Sequence, residues 1–220
     1  MNAELFPRSR TEVAPGAVHM PDWLDAERQR ELLEACRDWS RPPAGLRTVH
    51  TPGGGTMTSR QVCLGWHWYP YGYARTVVDG DGAPVKPFPE WLGELGRRAV
   101  ADAFGGDDAF EGEPTAPYDI ALINFYDADA RMGMHRDSDE KSDAPVVSLS
   151  LGDTCVFRFG NTESRTRPYT DVELRSGDLF VFGGPVRLAY HGVPRVHPGT
   201  APEELGLPGR LNVTLRVSGF

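Results

Sequence analysis

The chain reads as an α+β protein, mainly β, in which a double-stranded β-helix (a jelly roll) carries N-terminal helices packed on one outer face. Three observations predict this class. From Tyr118 onward, short apolar runs broken by turn residues recur at the spacing of sheet strands. Ahead of them, two stretches show helical periodicity with start and stop signals. Finally, 25 glycines and 19 prolines in 220 residues supply many turns without reaching low-complexity composition.

The first helix is expected from Asp25, a capping residue, through Ala26-Glu27-Arg28 to about Trp39, with Leu32, Leu33 and Cys36 on one face. Arg41-Pro42-Pro43 stops it, because proline removes a donor and clashes with the preceding turn. Residues 53–87 are rich in glycine and aromatics and predict hairpins and loops, with Asp79-Gly80-Asp81-Gly82 the clearest turn. A second helix is expected from Pro89 to about Phe104, presenting Trp91, Leu92, Leu95 and Val100 and ended by Gly105-Gly106. Strands follow at Ile120 to Tyr126, Val146 to Leu151, Thr154 to Phe159, Asp178 to Phe182 and Leu211 to Val217. No internal repeat or linker interrupts this order, so one domain is expected over residues 1–220.

Bulk properties narrow the function classes. Residues 1–20 include Arg8, Arg10 and Glu12 and lack an apolar core, which excludes a secretory signal in this stretch. No run of about 18 apolar residues occurs, so no membrane span is expected. Three scattered cysteines outside any Cys-x-x-Cys pair suit a reduced, cytoplasmic protein. A formal net charge of −8 counts against a large duplex-gripping surface, because nucleic-acid binders usually carry a basic footprint.

His135 and Asp137 lie at i and i+2, so on an extended segment they point the same way. His191 follows 56 positions later, a separation that several strands would fill. Two imidazoles and a carboxylate suit ferrous iron and leave coordination positions open for chemistry. About one His-x-acid match is expected by chance in a chain of this composition, so ordinary hydrogen-bonded histidines remain an alternative. Near the C-terminus, Arg210, Asn212, Thr214 and Arg216 alternate with Leu211, Val213, Leu215 and Val217. A half-exposed strand explains that pattern. So does a barrel interior whose guanidiniums bind a dicarboxylate in bidentate fashion. Asn124 and Tyr126 alternate with Phe125 in the same way and could add donors.

These residues, in this order, resemble the AlkB-type iron(II)/2-oxoglutarate dioxygenases. The resemblance runs through Leu122-Ile123-Asn124-Phe125-Tyr126, Met134 to Glu140, Ala144 to Gly152, Gly177-Asp178, Phe182-Gly183-Gly184, Arg187 to Gly192 and Arg210 to Arg216. Before residue 118 it is looser, chiefly at Leu64-Gly65-Trp66 and Phe88-Pro89-Glu90-Trp91. It implies that residues 1–117 form helical support and a nucleotide-recognition lid, and residues 118–220 the jelly-roll catalytic core.

It further implies that His135, Asp137 and His191 bind Fe(II). Arg216, assisted by Tyr126, would pair with the distal carboxylate of 2-oxoglutarate, while Arg210, Asn124 and Asn212 hold its metal-side end. The implied reaction is oxidative demethylation, with O2, of N1-methyladenine and N3-methylcytosine in DNA or RNA. It releases formaldehyde, succinate and CO2. A flipped base would stack on Trp66 opposite His191, Asp139 would accept from its exocyclic amine, and Tyr73 and Arg165 would contact phosphate or base. The implied partner is alkylated single-stranded nucleic acid, and the implied state a monomer. His67-Trp68-Tyr69-Pro70 is bulkier than such a lid requires, and the loop 193–208 is proline-rich. Two other readings stay open: a dioxygenase acting on a protein side chain or small metabolite, and a jelly-roll module that binds metal or dicarboxylate without turnover.

Overall fold

The computed structural model describes residues 7–105 and 117–220. It begins with a hairpin, β1 (Thr11–Ala14) and β2 (Ala17–Met20), followed by α1 (Ala26–Trp39). Asp25 caps that helix by accepting from the Arg28 backbone N–H at 2.8 Å. Next come β3 (Arg47–His50), β4 (Thr56–Leu64), the small hairpin β5 (His67–Tyr69) and β6 (Gly72–Ala74), and α2 (Glu90–Phe104). Gly105 closes α2; Gly106 lies outside the described residues. The remaining strands are β7 (Ile120–Tyr126), β8 (Met132–His135), β9 (Val146–Gly152), β10 (Thr154–Phe159), β11 (Thr170–Leu174), β12 (Leu179–Phe182), β13 (His191–His197) and β14 (Arg210–Arg216).

Two antiparallel sheets face each other. The larger has the order β1-β2-β12-β9-β14-β7-β4-β3, and the smaller β11-β10-β13-β8. Both expected helices and all five expected strands form, within two residues of the expected ends. One expectation needs correction. The first 117 residues do more than provide helical support and a lid, because β1 to β4 are half of the larger sheet. The Gly-rich run Gly53-Gly54-Gly55 is only the turn between β3 and β4.

The pleat sorts the side chains of the larger sheet. Ala121, Ile123, Val147, Leu149, Leu151, Val213 and Leu215 point to one face and join Leu32, Leu33, Leu92 and Ala99 of the helices in one core. Each fully buried Leu or Ile there contributes about 1.5–3 kcal/mol. Trp91 does not join that face; it is 44% exposed and stacks on Trp39 with centroids 5.9 Å apart. The opposite pleat positions, including Asn124, Tyr126, Ser148, Arg210, Asn212, Thr214 and Arg216, line a cavity between the two sheets. A second core lies between the sheets, with Phe157 and Phe159 of the smaller and Phe180 and Phe182 of the larger in mutual contact, and Phe157 and Phe182 line that cavity.

Asp178 joins the sheet to the N-terminal segment. Its fully buried carboxylate accepts from Arg8 Nη1 at 2.7 Å and Nη2 at 2.9 Å, lies 2.9 Å from His19 Nε2, and also accepts from the Asp22 and Arg175 amides. Among the described residues, no helix is long and apolar enough to cross a membrane.

Candidate metal and dicarboxylate centre

The smaller sheet sets the histidines. His135 ends β8 and pairs in register with His191, the first residue of β13. Their rings lie 4.5 Å apart. Asp137, two residues beyond β8, turns back between them. One oxygen stands 3.7 Å from His135 Nε2 and the other 3.6 Å from His191 Nε2. All three ligand atoms fall within 4.8 Å of one another, a grouping that could hold a metal ion.

Tautomers favour that use. His135 Nδ1 lies 2.9 Å from the Gly133 carbonyl and His191 Nδ1 lies 3.0 Å from the Ala189 carbonyl. A carbonyl only accepts, so each Nδ1 carries the hydrogen and each Nε2 keeps its lone pair for a ligand. Burial, partly opposed by Asp137, holds His191 down at about 4, so its ring is neutral at physiological pH. Burial pushes Asp137 up, but Arg216 and then the two histidines outweigh it and hold the carboxyl well below its ordinary range. Asp137 Oδ2 is buried with no hydrogen-bond partner among the described residues. A divalent cation would satisfy it.

The larger sheet supplies the cationic wall. Arg210 is 1% exposed. It donates from Nη2 to Ser150 Oγ at 3.1 Å and lies 5.9 Å from the centre of the Tyr126 ring. Its Nε and Nη1 are buried and have no partner among the described residues. A buried guanidinium with two free donors beside a cavity fits a carboxylate, whose two oxygens match that fork. Arg216 Nη2 reaches Asp137 Oδ1 at 2.7 Å, and Nη1 reaches Glu140 Oε1 at 2.8 Å. Its Nε is also buried and without a partner among the described residues. The donor set therefore fits one divalent cation and one dicarboxylate.

This geometry corrects the end-for-end order expected of the arginines. Tyr126 pairs across the strands with Arg210, not with Arg216, and Arg216 is the one at the metal ligands. Asn124 and Asn212 both line the cavity. Asn212, however, directs its amide within the protein, from Nδ2 to Ser148 Oγ and Leu149 O, and its Oδ1 accepts from Thr214.

The expected base-recognition residues separate. Trp66 is not among the cavity-lining residues. Its indole N–H donates to Asp119 at 3.1 Å, Arg75 covers its ring at 3.4 Å, and Phe220 meets it edge-on. Trp68, two residues on, is the tryptophan that reaches the metal-side loop, donating to Asp139 Oδ2 at 2.8 Å. Tyr73 turns its hydroxyl onto Glu140 and Arg216 rather than toward a phosphate. Arg165 is exposed and shares the Tyr190 ring with Arg136, at 5.8 and 5.4 Å.

Two residues absent from the sequence-based set complete the centre. The Glu140 carboxylate is fully buried and bridges Arg216 to Arg187. Arg187 also donates to the backbone carbonyls of Asp137 and Ala144, fixing the loop that carries the metal carboxylate.

A jelly roll with two histidines and one carboxylate at its mouth and buried arginines behind them defines an oxygenase of the iron and 2-oxoacid class. The sequence profile described as the 2OG-Fe(II) oxygenase superfamily matches residues 16–216. The AlkB homolog of Caulobacter vibrioides, called an alpha-ketoglutarate-dependent dioxygenase, is 37% identical over 93% of this chain and 88% of its own length. The Escherichia coli AlkB dioxygenase is 35% identical over 79% of this chain and 78% of its own. The solved structure of OsALKBH1 superposes with a TM-score of 0.83 at 33% identity, covering 94% of this chain and 99% of that one. The chain belongs to the 2OG-Fe(II) oxygenase superfamily, and within it to the AlkB-type dioxygenases. It spans about half the length of ALKBH1D, an Arabidopsis thaliana relative named a DNA N(6)-methyladenine demethylase and 31% identical.

Proposed function

We propose that this chain acts as one dioxygenase domain that oxidatively demethylates N-alkylated bases, N1-methyladenine and N3-methylcytosine among them, in DNA or RNA. The observation that carries this reading is the junction of the His135-Asp137-His191 cluster with the two Arg210 donors that have no partner among the described residues, in one cavity. When bound, Fe(II) and 2-oxoglutarate supply the oxidation. The net reaction would turn 2-oxoglutarate, O2 and the N-methyl base into succinate, CO2, formaldehyde and the repaired base, with one oxygen atom in succinate and the other in the formaldehyde.

The residues divide that work. His135, Asp137 and His191 hold the metal on one face. Arg210 with Tyr126 grips the distal carboxylate, Arg216 steadies the metal-side carboxylate, and Asn124 donates from the side. Trp68 and Asp139 border the substrate side of the metal. Arg136 and Arg165, both close to the Tyr190 ring and without a carboxylate partner among the described residues, offer phosphate contacts to a single strand. They offset the overall acidity locally. The names of the AlkB and ALKBH1 relatives support the substrate class, and three buried unpaired cysteines suit a monomer in the cytoplasm.

The test is a panel of DNA and RNA oligonucleotides carrying N1-methyladenine, N3-methylcytosine or N6-methyladenine. Formaldehyde release and a net mass loss of one CH2 unit, dependent on iron and 2-oxoglutarate and absent in Asp137→Ala, are expected. Succinate formation with a protein or metabolite substrate, and none with any oligonucleotide, would overturn the substrate assignment.

A further inference from the structure

One row of polar side chains crosses five strands of the larger sheet. In register it runs Arg47 on β3, Gln61 on β4, Asn124 on β7, Asn212 on β14 and Ser150 on β9. Its first three members are linked side chain to side chain. Arg47 Nη1 lies 3.3 Å from Gln61 Oε1, and Gln61 Nε2 lies 3.1 Å from Asn124 Oδ1 in a buried contact.

The direction of this chain follows from one chemical fact: a guanidinium only donates. Gln61 must therefore turn its carbonyl oxygen to Arg47. The Cys63 thiol, 3.5 Å away, donates to the same oxygen, and burial pushes that thiol's pKa up, keeping its proton in place. With Oε1 fixed, Gln61 can offer only N–H to its other neighbour, so Asn124 must present Oδ1 to Gln61. The Asn124 Nδ2 hydrogens are left over, on a residue that lines the cavity, and no protein group among the described residues takes them. Arg47 itself is held at its other nitrogens. Nε donates to Asp79 Oδ1, which His67 Nε2 also approaches at 2.6 Å, and Nη2 donates to the Trp68 carbonyl.

We infer that Arg47 and Gln61 are positioning residues for the co-substrate, a donor-polarised relay that fixes the Asn124 amide with its N–H groups facing a bound carboxylate. This rests on the reading above that the cavity takes 2-oxoglutarate. The relay excludes the flipped amide, which would set a carbonyl oxygen against an anion. It also places the anchor of that amide among the residues that hold the β5–β6 hairpin, since Arg47 binds Asp79 and the Trp68 carbonyl.

The test uses the full chain loaded with Fe(II) under anaerobic conditions, with 2-oxoglutarate titrated by calorimetry. Gln61→Leu removes the relay but leaves Asn124 free to choose either orientation. Gln61→Glu keeps the shape and still accepts from Arg47, but it can only accept from Asn124. It therefore draws Nδ2 away from the cavity and turns Oδ1 toward the ligand. The relay predicts a Kd for 2-oxoglutarate raised about 10-fold or more by Gln61→Glu, and only about 2- to 3-fold by Gln61→Leu. The KM for 2-oxoglutarate should move in the same order. Arg47→Met should resemble Gln61→Leu, with partial rescue by Arg47→Lys.

Equal effects of Gln61→Glu and Gln61→Leu, or affinities unchanged in both while the parent chain binds, would overturn the relay and leave the cofactor reading standing. No binding of 2-oxoglutarate by the parent chain would overturn both. If Arg47→Met fails to fold, the near-isosteric Gln61→Glu, checked by its melting curve, still decides the question.

Discussion

Arg216 Nη2 stands 2.7 Å from Asp137 Oδ1, so the carboxylate between the two histidines has a buried cation against it. Glu140 lies on the other side of the same guanidinium, and Arg187 lies beyond Glu140. Two cations and two carboxylates thus alternate through a largely buried region. Alternation lets ionised groups persist there, since an unpaired buried charge costs several kcal/mol.

The two arginines of β14 should therefore respond oppositely to neutral replacement. Arg216→Met leaves Asp137 and Glu140 without their counter-charge and should cost about 3–5 kcal/mol of stability. Arg210→Met removes a guanidinium with two unpartnered nitrogens and should cost little, while raising the KM for 2-oxoglutarate about 30-fold or more. Denaturant melts beside co-substrate titrations check both. Equal destabilisation by the two substitutions would contradict the difference in their surroundings.

Asp137→Asn keeps the volume of the side chain and removes its charge. Iron retention after gel filtration should fall sharply, and turnover by more than about 100-fold. Metal analysis of the purified chain measures the first independently of any substrate.

Trp68→Phe removes the indole N–H from Asp139 and preserves most of the packing. The KM for an oligonucleotide should change by about 3- to 10-fold, with the KM for 2-oxoglutarate unmoved. Trp66→Phe, which loses only the bond to Asp119, should leave the oligonucleotide KM within about 2-fold. The reverse ranking would return Trp66 to the base-stacking role expected from its motif.

Asp178 gives a pH signature. Burial pushes its carboxyl up, yet the hydrogen bonds from His19 and Arg8 outweigh that effect and hold it below the ordinary range. A depressed native pKa adds stability above the unfolded value, and that stability is lost as pH falls through the native one. The melting temperature should thus drop below about pH 4. In Asp178→Asn, already weaker by about 3 kcal/mol at neutral pH, the acid dependence should flatten.

The strands Ile120–Tyr126 and Thr154–Phe159 could be located from sequence alone because turn residues bound them and β-branched and aromatic residues fill them. The strands β1 and β3 could not. Each is a four-residue edge strand with mostly exposed or half-buried positions, paired on one side only with the next strand in the chain, so no apolar run marks it. β4 changes from an alternating to a fully buried pattern midway, which hides its period. In the site, His135 and Asp137 were legible because two-residue spacing is a local signal. Glu140 and Arg187 were not singled out, since their pairing spans 47 positions and gives no periodic trace. The order of Arg210 and Arg216 needed register. Only the pairing of β14 with β7 says which guanidinium meets Tyr126.

The interleaving of early and late strands limits how this scaffold can be taken apart. β2 zips onto β12 and β4 onto β7, so a fragment comprising residues 118–220 would bare both flanks of β12-β9-β14-β7 at once. Bare strand flanks recruit other chains. A graft meant to change which base is recognised therefore has a narrow window. It should exchange residues within 65–87, between β4 and α2, while keeping Trp68 and Asp79 as partners of Arg47, and leave Arg47, Gln61 and the β3–β4 hairpin as part of the recipient.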